Sequence, residues 1–367
     1  MSDADRLEES VTRSLFALVP FLPPDHFVTL TYLVVGLILG RNVQLSKIAE
    51  QVNYDHKESS LEARFGRFMN NEHIAVTLNY SIFVKLIFAG LDKEQPLVFS
   101  IDTTKTGAAC ITLMISLSYG SRSLPVCWLT FKGRKGHSSQ EIQLILLETL
   151  KGLIPADFAV ILLGDGEFDG AQGVTWLQSQ PGWHYVCRSD ETTKVYYQDE
   201  WVALRDLPLK SGQETFFTQL PFTEAHQVGP LNILAVWHHA EKRHWFFITN
   251  FDTFKEARHW YRKRFQIETL FSDFKGRGFH FDQCRLKDPA RVNRLLMAVS
   301  IAYLFVVFWG VQAVSSGDFS LMVRTDRFDH SLFTLGLKYI QRLLKKVLSI
   351  PPLISWPPPS SFYHQGA

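Results

Sequence analysis

The spacing of hydrophobic positions changes along the chain and divides it into regions. Up to about residue 90, apolar residues recur at intervals of three and four, which is typical of helices with one buried face. An apolar helix is expected over residues 27–39. Shorter helices are expected over residues 45–52 and 60–69, with a polar turn at residues 53–55 between them. The first quarter of the chain is therefore predicted to be mainly helical.

The two shorter helices and their turn resemble a helix-turn-helix unit. Arg64 and Arg67 lie one turn apart on the second helix, where they could contact DNA. Two ordinary helices joined by a turn give the same pattern, so both interpretations stay open. Residues 1–90 are assigned as a helical N-terminal region whose expected function is DNA binding.

Short apolar runs replace the helical spacing from residue 97 onwards. Residues 97–102 predict a strand that ends in a carboxylate, Asp102, and residues 103–108 predict a turn. Two further strands are expected over residues 109–120 and 123–131, and their tight connections favour an antiparallel meander. The basic loop at residues 132–137 follows, as either a solvated turn or a phosphate contact. A helix capped by Ser138 or Ser139 comes next.

A second strand that leads into acidic residues is predicted at residues 158–170. Asp165 follows this strand in the same relation as Asp102 to its own. Asp165, Glu167 and Asp169 alternate as at the start of a calcium loop. Trp176 stands where that loop needs a glutamate, and the loop should follow a helix, so a calcium loop is rejected.

The second half of the chain alternates between strands and helices. Aromatic and β-branched runs over residues 182–250 predict a β-rich insertion, and an amphipathic basic helix is expected over residues 331–348. The Pro-rich tail from Pro351 is expected to be loosely ordered. The expected domains are the helical region at 1–90, the two parts of a core at 91–178 and 253–315, the insertion at 179–252 and a C-terminal segment at 316–367.

Composition narrows the class of protein. The chain has 367 residues, of which 46% are hydrophobic, so a globular protein with a sizeable core is expected. The net charge is only +2, and a nucleic-acid partner would therefore need a local basic surface. The four cysteines lack zinc-site spacing and favour a reducing cytosol. The acidic, polar N-terminus does not resemble a signal peptide.

One apolar run, residues 295–311, is long enough to raise the question of a membrane span. The centre of a large core also requires a helix that is hydrophobic all round. The core helix is the interpretation chosen here, and no membrane partner is expected.

A polar stripe lies within an otherwise apolar segment at residues 261–275. On a helix of about 100° per residue, Tyr261, Arg264, Glu268 and Lys275 fall within about 60° of one another. A solvated face with i,i+4 pairs would give the same pattern. Because aromatic residues flank the stripe, it suits the edge of a cleft better than open water.

Three carboxylates follow or lie on predicted core elements: Asp102, Asp165 and Glu268. Each alone is more commonly a surface acid. Together they offer hard oxygen ligands that suit Mg²⁺. Two such ions can activate an attacking oxygen and stabilise a leaving one in phosphoryl transfer.

The spacing Y-x2-R-x3-E-x6-K, met by Tyr261, Arg264, Glu268 and Lys275, resembles the signature of DDE transposases of bacterial insertion sequences, in the insertion-sequence-four family. The order of strand, aspartate, insertion and signature helix is also similar, although Gly166 stands where the family often has arginine. The resemblance implies a mixed α/β protein with an RNase H-like catalytic core interrupted by a β-rich insertion.

The resemblance also implies functional roles. Asp102, Asp165 and Glu268 would hold Mg²⁺, two ions in all, with Mn²⁺ as a substitute. Tyr261, Arg264 and Lys275 would contact phosphates of double-stranded DNA at the transposon ends. Trp245 would stack on a base turned out of the duplex, although it could equally be a core or interface aromatic.

The implied activity is cut-and-paste transposition, in which hydrolysis at the transposon end is followed by strand transfer to target DNA. A homodimer on DNA in the bacterial cytosol is expected. Three alternatives remain: an RNase H-like nuclease or resolvase without strand transfer, an inactive DNA-binding relative, and a membrane protein built around residues 295–311.

Overall fold

The structure, a computed structural model, describes residues 2–133, 138–324 and 330–359. Its N-terminal region is helical, as expected. Within the described residues the α-helices are α1 (Asp3–Leu18), α2 (Pro24–Gly40), α3 (Leu45–Ala49), α4 (Glu58–Asn70), α5 (Val76–Ala89), α6 (Gln140–Leu153), α7 (Ala171–Gln178), α8 (Phe254–Tyr261), α9 (Gln266–Phe274), α10 (Pro289–Ser315) and α11 (Leu332–Lys345).

The described strands form one ten-stranded sheet. They are β1 (Leu97–Thr106), β2 (Cys110–Tyr119), β3 (Arg122–Lys132), β4 (Val160–Gly164), β5 (Trp183–Ser189), β6 (Lys194–Tyr197), β7 (Glu200–Ala203), β8 (Thr215–Phe222), β9 (Val228–His238) and β10 (Arg243–Thr249). Their order across the sheet is β3-β2-β1-β4-β5-β10-β9-β8-β6-β7.

The first five strands carry the core of the fold. β1, β2 and β3 form the antiparallel meander that the sequence predicts, while β4 pairs in parallel with both β1 and β5. α6 connects β3 to β4 and α7 connects β4 to β5, as parallel strands require crossovers. The expected mixed α/β class with an RNase H-like core is confirmed.

The β-rich segment extends the same sheet. β10 pairs antiparallel with β5, and β9, β8, β6 and β7 follow outwards. β5 lies at the start of the range 179–252 yet pairs directly with β4 of the preceding range. The segment and the core therefore share a continuous hydrogen-bonded ladder.

α10 is the central helix of the hydrophobic core. Its most apolar 18-residue window is 94% buried, which agrees with a core helix. Two of its polar side chains reach other elements: the Tyr303 hydroxyl donates to the Ser123 carbonyl (3.2 Å), and the Arg294 guanidinium donates to the Met69 carbonyl (2.8 Å). α10 thus joins the helical region to the meander.

α11 packs closely on α10 through two glycines. A β-carbon at Gly336 would lie 1.8 Å from the Val306 carbonyl oxygen, and one at Gly310 would lie 2.0 Å from that of Leu332. The apolar side of α11, which includes Ile340 and Leu343, is buried in the core.

The Pro-rich tail differs from the sequence-based expectation over residues 351–359. Leu353 and Trp356 are buried, and the Leu353 amide donates to the Ser14 hydroxyl (2.8 Å). The carbonyls of Pro351 and Pro357 accept hydrogen bonds from Trp309 and Tyr119, respectively. The expectation of a loose tail was wrong here, because two apolar anchors and several buried donors hold the segment. Residues 360–367 lie outside the described residues.

The helix-turn-helix region contains two helices. α3 is short, with 5 residues, and α4 is longer, with 13 residues. The Arg64 guanidinium donates to the Thr29 hydroxyl (2.7 Å) and pairs with the Asp25 carboxylate (3.5 Å), both on α2. Arg67 is exposed. Arg64 therefore holds α4 against α2, while DNA contact by α4 stays a prediction. Of the basic loop at 132–137, residues 134–137 lie outside the described residues.

Replacement of Gly336 by alanine tests the close packing of α10 and α11. The methyl group would overlap the Val306 carbonyl, so Gly336→Ala is expected to lower the free energy of unfolding by roughly 1–3 kcal/mol. Gly66→Ala on α4 is the control, because its methyl group meets no atom within 4 Å and is expected to stabilise by about 0.5–1 kcal/mol. Urea unfolding measures the free energy of unfolding of both variants and of the wild type. Equal changes in the two variants would contradict the close packing of α11 on α10.

Candidate active site

The candidate site lies where the parallel pairing of three neighbouring strands stops. The register of β1, β4 and β5 brings Ile101 opposite Gly164, and Gly164 opposite Cys187. The residues that follow these paired positions are Asp102, Asp165 and Arg188. Carboxyl ends of parallel strands are a common place for ligand sites in α/β folds.

The position of Asp102 corrects one detail of the sequence interpretation. β1 does not end at Asp102 but continues to Thr106, because β2 still pairs with it there, with Asp102 opposite Met114. Only the pairing of β1 with β4 stops at Ile101. Asp102 is therefore held in a strand, while Asp165 lies in the turn that follows β4.

The signature segment is not one continuous α-helix. α8 ends at Tyr261, a 3₁₀ turn occupies Arg262–Phe265, and α9 runs from Gln266 to Phe274. Lys275 follows the end of α9 with φ −92° and ψ −133°, so it is not on the helix. The expected single stripe was wrong, because a 3₁₀ turn winds more tightly than an α-helix and Lys275 leaves the helical path.

Arg264 lies between two of the predicted metal-binding carboxylates. Its side chain is 8% exposed, and its guanidinium pairs with the Asp102 carboxylate (3.5 Å) and with that of Glu268 one turn away. The guanidinium carbon also lies 4.4 Å from the centre of the Phe265 ring. In this state Arg264 neutralises the carboxylates and is not open to solvent.

The pKa of Asp102 reflects this crowding. Burial, the largest cause, and the nearby Asp165 carboxylate together raise it from 3.8 to about 7, although Arg264 opposes the shift. Glu268 also contributes in the raising direction. The Asp102 carboxyl group is therefore within electrostatic range of both other carboxylates, and their joint role as metal ligands stays a prediction.

Lys275 reaches the same edge of the sheet by a different route. Its ammonium group donates to the Thr104 hydroxyl (2.6 Å), two residues beyond Asp102 on the same face of β1. Burial lowers the pKa of Lys275. Lys275 is thus fixed beside the carboxylates, although it lies outside the helix on which its spacing was counted.

Tyr261 is mainly a core residue. Its ring centre lies 4.4 Å from that of Phe247, and it belongs to a small hydrophobic cluster with Val98, Ile161 and Leu163. Burial raises the pKa of its hydroxyl. Its expected phosphate contact stays a prediction, and its visible role is to attach α8 to the sheet.

Trp245 and Asp165 both line a polar cavity of about 290 Å³, to which Arg188 and Arg243 also contribute. The Arg188 guanidinium carbon lies 3.9 Å from the indole centre, and the His238 ring stacks at 4.0 Å and 8°. Two groups at this separation occupy opposite faces of the indole. A flipped base could stack on Trp245 only after one of them moves, so that role stays a prediction.

The carboxylates were tested as a metal site by their chemistry and their present partners. Mg²⁺ takes few protein carboxylates and keeps several waters, which suits Asp102 and Asp165. Within residues 2–133, 138–324 and 330–359, no group of three or more His, Cys, Asp or Glu side chains has the spacing of a metal site. The Glu268 carboxylate is instead held by Arg264. The type of donor suits Mg²⁺, and metal binding by the three carboxylates together stays a prediction.

Two neighbours of the site were not assigned from the sequence. Arg188 lies near the end of β5, and the sequence did not predict that β5 pairs in parallel with β4, which brings Arg188 to the position beside Asp165. Glu167 was considered only within the rejected calcium loop. It accepts a hydrogen bond from the Thr103 hydroxyl (3.1 Å), next to Asp102.

The pKa of Asp102 predicts a pH dependence of stability without divalent cations. The folded protein holds the Asp102 proton up to about pH 7, whereas the unfolded chain releases it near 3.8. Stability should therefore fall as pH rises between these values, by at most roughly 4 kcal/mol. Asp102→Asn cannot titrate and is expected to lose less stability between about pH 5 and about pH 8 in urea unfolding. Equal losses in both proteins would contradict the assigned pKa.

No curated protein sequence matches the chain. The cryo-EM structure of a piggyBac transposase synaptic complex with hairpin DNA is similar over 94% of this chain and 80% of that chain, with 12% sequence identity and a TM-score of 0.44. The crystal structure of human ENDOV is similar over 61% of this chain and 95% of that chain, with 12% identity and a TM-score of 0.21. Neither likeness is strong enough to carry a functional argument.

A family model gives a more specific match. The family described as the transposase DDE domain matches residues 93–305, which is more than half of the chain. The matched range includes β1 with Asp102, the turn with Asp165, the whole signature segment and much of α10. The expectation of a DDE transposase is confirmed at this level: the chain belongs to the transposase DDE domain family.

Proposed function

We propose that this protein is a cut-and-paste DNA transposase of the insertion-sequence-four family. The observation that carries the proposal is the meeting of Asp102, Asp165 and the signature residue Glu268 at one sheet edge, inside the range of the family match. The signature spacing from Tyr261 to Lys275 supports the finer family assignment. Its substrate would be double-stranded DNA at transposon ends and then target DNA.

Divalent metal ions held by Asp102, Asp165 and Glu268 would supply activation of the attacking oxygen and stabilisation of the leaving one. Mg²⁺ is the proposed ion, two per site, with Mn²⁺ as a substitute. Asp102 has to lose its proton to serve as a ligand, and its pKa of about 7 makes that loss easier at mildly alkaline pH.

The basic side chains would bind and orient the DNA. Arg264 presents a planar fork that matches phosphate oxygens, and Lys275 presents a point charge. Arg264 is now committed to Asp102 and Glu268, so a phosphate at the site would have to draw it away from them. The same movement frees Glu268, so the binding of DNA and the completion of the carboxylate set would support each other.

The proposed reaction sequence needs one active site. Hydrolysis at the transposon end frees a 3′ hydroxyl, which in relatives attacks the opposite strand to form a hairpin that is then reopened. The 3′ hydroxyl finally attacks target DNA. Two ends have to be bridged, so the proposal includes a homodimer on DNA. It also includes a bacterial cytosolic setting, with which the four free, buried cysteines are compatible.

A cleavage assay tests the proposal. The purified protein is incubated with DNA that carries the inverted repeats flanking its own gene, in Mg²⁺ or Mn²⁺. Cuts at the repeat ends and joined products are expected. Glu268→Ala is expected to lower cleavage at least about 100-fold, the scale of losing a group that stabilises developing charge.

Glu256→Ala is the matched control, because Glu256 is an exposed carboxylate on α8 whose side chain bonds to Thr253 and not to the site. It should cleave like the wild type. Cuts without joined products would indicate a nuclease or resolvase instead. DNA binding without cuts in either metal would indicate an inactive relative and would remove the roles assigned to the three carboxylates.

A further inference from the structure

Glu167 connects three elements around the two aspartates. It lies in the turn after β4, two residues beyond Asp165. One carboxylate oxygen accepts from the Thr103 hydroxyl on β1 (3.1 Å). The other accepts from the Ser138 hydroxyl (2.5 Å) and the Ser138 amide, just before α6.

The backbone of Glu167 is also engaged. Its amide donates to the Asp165 carboxylate (3.0 Å), and its carbonyl accepts from the Gln143 side chain on α6 (3.1 Å). The turn is therefore fixed from both sides. The Asp165 carboxylate gains an amide donor that fixes its orientation.

The hydrogen bond between Thr103 and Glu167 lies at the point where the pairing of β1 with β4 stops. The ladder between β1 and β4 ends at Ile101 and Gly164, so no paired residues join the strands at Asp102 and Asp165 themselves. The side chain of Glu167 bridges the gap immediately beyond the ladder, from the turn that carries Asp165 to the residue after Asp102.

We propose that Glu167 is a positioning residue that holds Asp102 and Asp165 at the separation needed to share a divalent cation. It acts through Thr103 and through the turn, and it is not itself a ligand, because both of its oxygens accept hydrogen bonds from Thr103 and Ser138. The inference rests on the proposed function, since that function is what requires the two aspartates to bind a cation together.

Asp169 provides a matched comparison in the same turn. It is a partly buried carboxylate like Glu167, but its oxygen accepts from the Ser189 hydroxyl on β5 (2.6 Å). This contact leads towards β5 and not towards Asp102. Asp169→Asn therefore changes a carboxylate of the same segment and leaves the contact between Glu167 and Thr103 in place.

Mn²⁺ binding to the full chain without DNA, measured by electron paramagnetic resonance and by calorimetry, tests the proposal. Glu167→Ala is expected to weaken Mn²⁺ binding by about 10–100-fold, the usual range for losing a group that orients a metal ligand. Glu167→Gln keeps the shape and an acceptor for Ser138, so it should recover most of the affinity. Asp169→Asn should bind as the wild type does, and Asp102→Asn should show no high-affinity binding.

Thr103→Val is a second, nearly isosteric variant in case Glu167→Ala folds poorly. It removes only the hydroxyl at the end of the bridge, so it should weaken Mn²⁺ binding in the same direction with little change in melting temperature. Wild-type affinity in both Glu167→Ala and Thr103→Val would overturn the proposal. So would an equal loss in Asp169→Asn, which would reduce Glu167 to a general stabiliser of the turn.

The outcomes separate this inference from the proposed function. If Mn²⁺ binds and responds to Glu167 as expected but the wild type never cleaves DNA, the positioning role stands and the transposase proposal fails. If the wild type cleaves DNA but Mn²⁺ binding is unchanged in the Glu167 variants, the transposase proposal stands and the positioning role fails. Failure of the wild type to bind Mn²⁺, or unchanged binding in Asp102→Asn, would overturn the positioning role, because there would be no cation site between the aspartates for it to maintain.

Discussion

The parallel pairing of β1 with β4 is the constraint on which the rest of the site depends. It brings Asp102 and Asp165 together from distant parts of the chain, at the point where the ladder between their strands stops. Because β5 continues the parallel arrangement, Arg188 joins the same edge. The pairing holds because β4 is buried along its whole length, between α-helical crossovers that parallel strands need. A shift of one residue in this register would turn one of the aspartates to the other face of the sheet.

Carboxylates that lie close together and away from water repel one another, and the positive charge of Arg264 reduces this repulsion. Burial and the neighbouring Asp165 carboxylate raise the pKa of Asp102, and the nearly buried guanidinium of Arg264 opposes that shift. A buried charge needs a partner, so Arg264 and the carboxylates each stabilise the other in the absence of ligands. The same guanidinium also pairs with the Glu268 carboxylate. If a cation and a DNA phosphate both bind here as proposed, the carboxylates would pair with the cation and Arg264 would pair with the phosphate, instead of with each other.

The signature segment is held in register with the sheet by contacts remote from the chemistry. The buried ion pair between Arg122 and Asp273 (3.3 Å) attaches α9 to β3, and the Gln266 side chain donates to the Gly120 carbonyl in the β2–β3 turn (3.0 Å). Beneath it, Phe274 packs edge-to-face on Tyr303 of α10. The long apolar helix thus serves the site indirectly, as the surface on which the signature segment rests.

The sequence by itself determined the type of most elements, the three carboxylates and the spacing that led to the transposase DDE family. These features are local. The spacing of apolar residues indicates which face of an element is buried, and an apolar run followed by an acidic residue can be recognised in the sequence without knowledge of the neighbouring strands. Only the tertiary structure decided that Asp102 lies within a strand, that β5 is parallel to β4, that Arg264 is bound to Asp102 and Glu268, and that Trp245 is covered on both faces. It also decided that the tail at 351–359 is docked. Such facts depend on which segments pack together, because a charge or a ring accepts any suitable partner that the fold brings within reach.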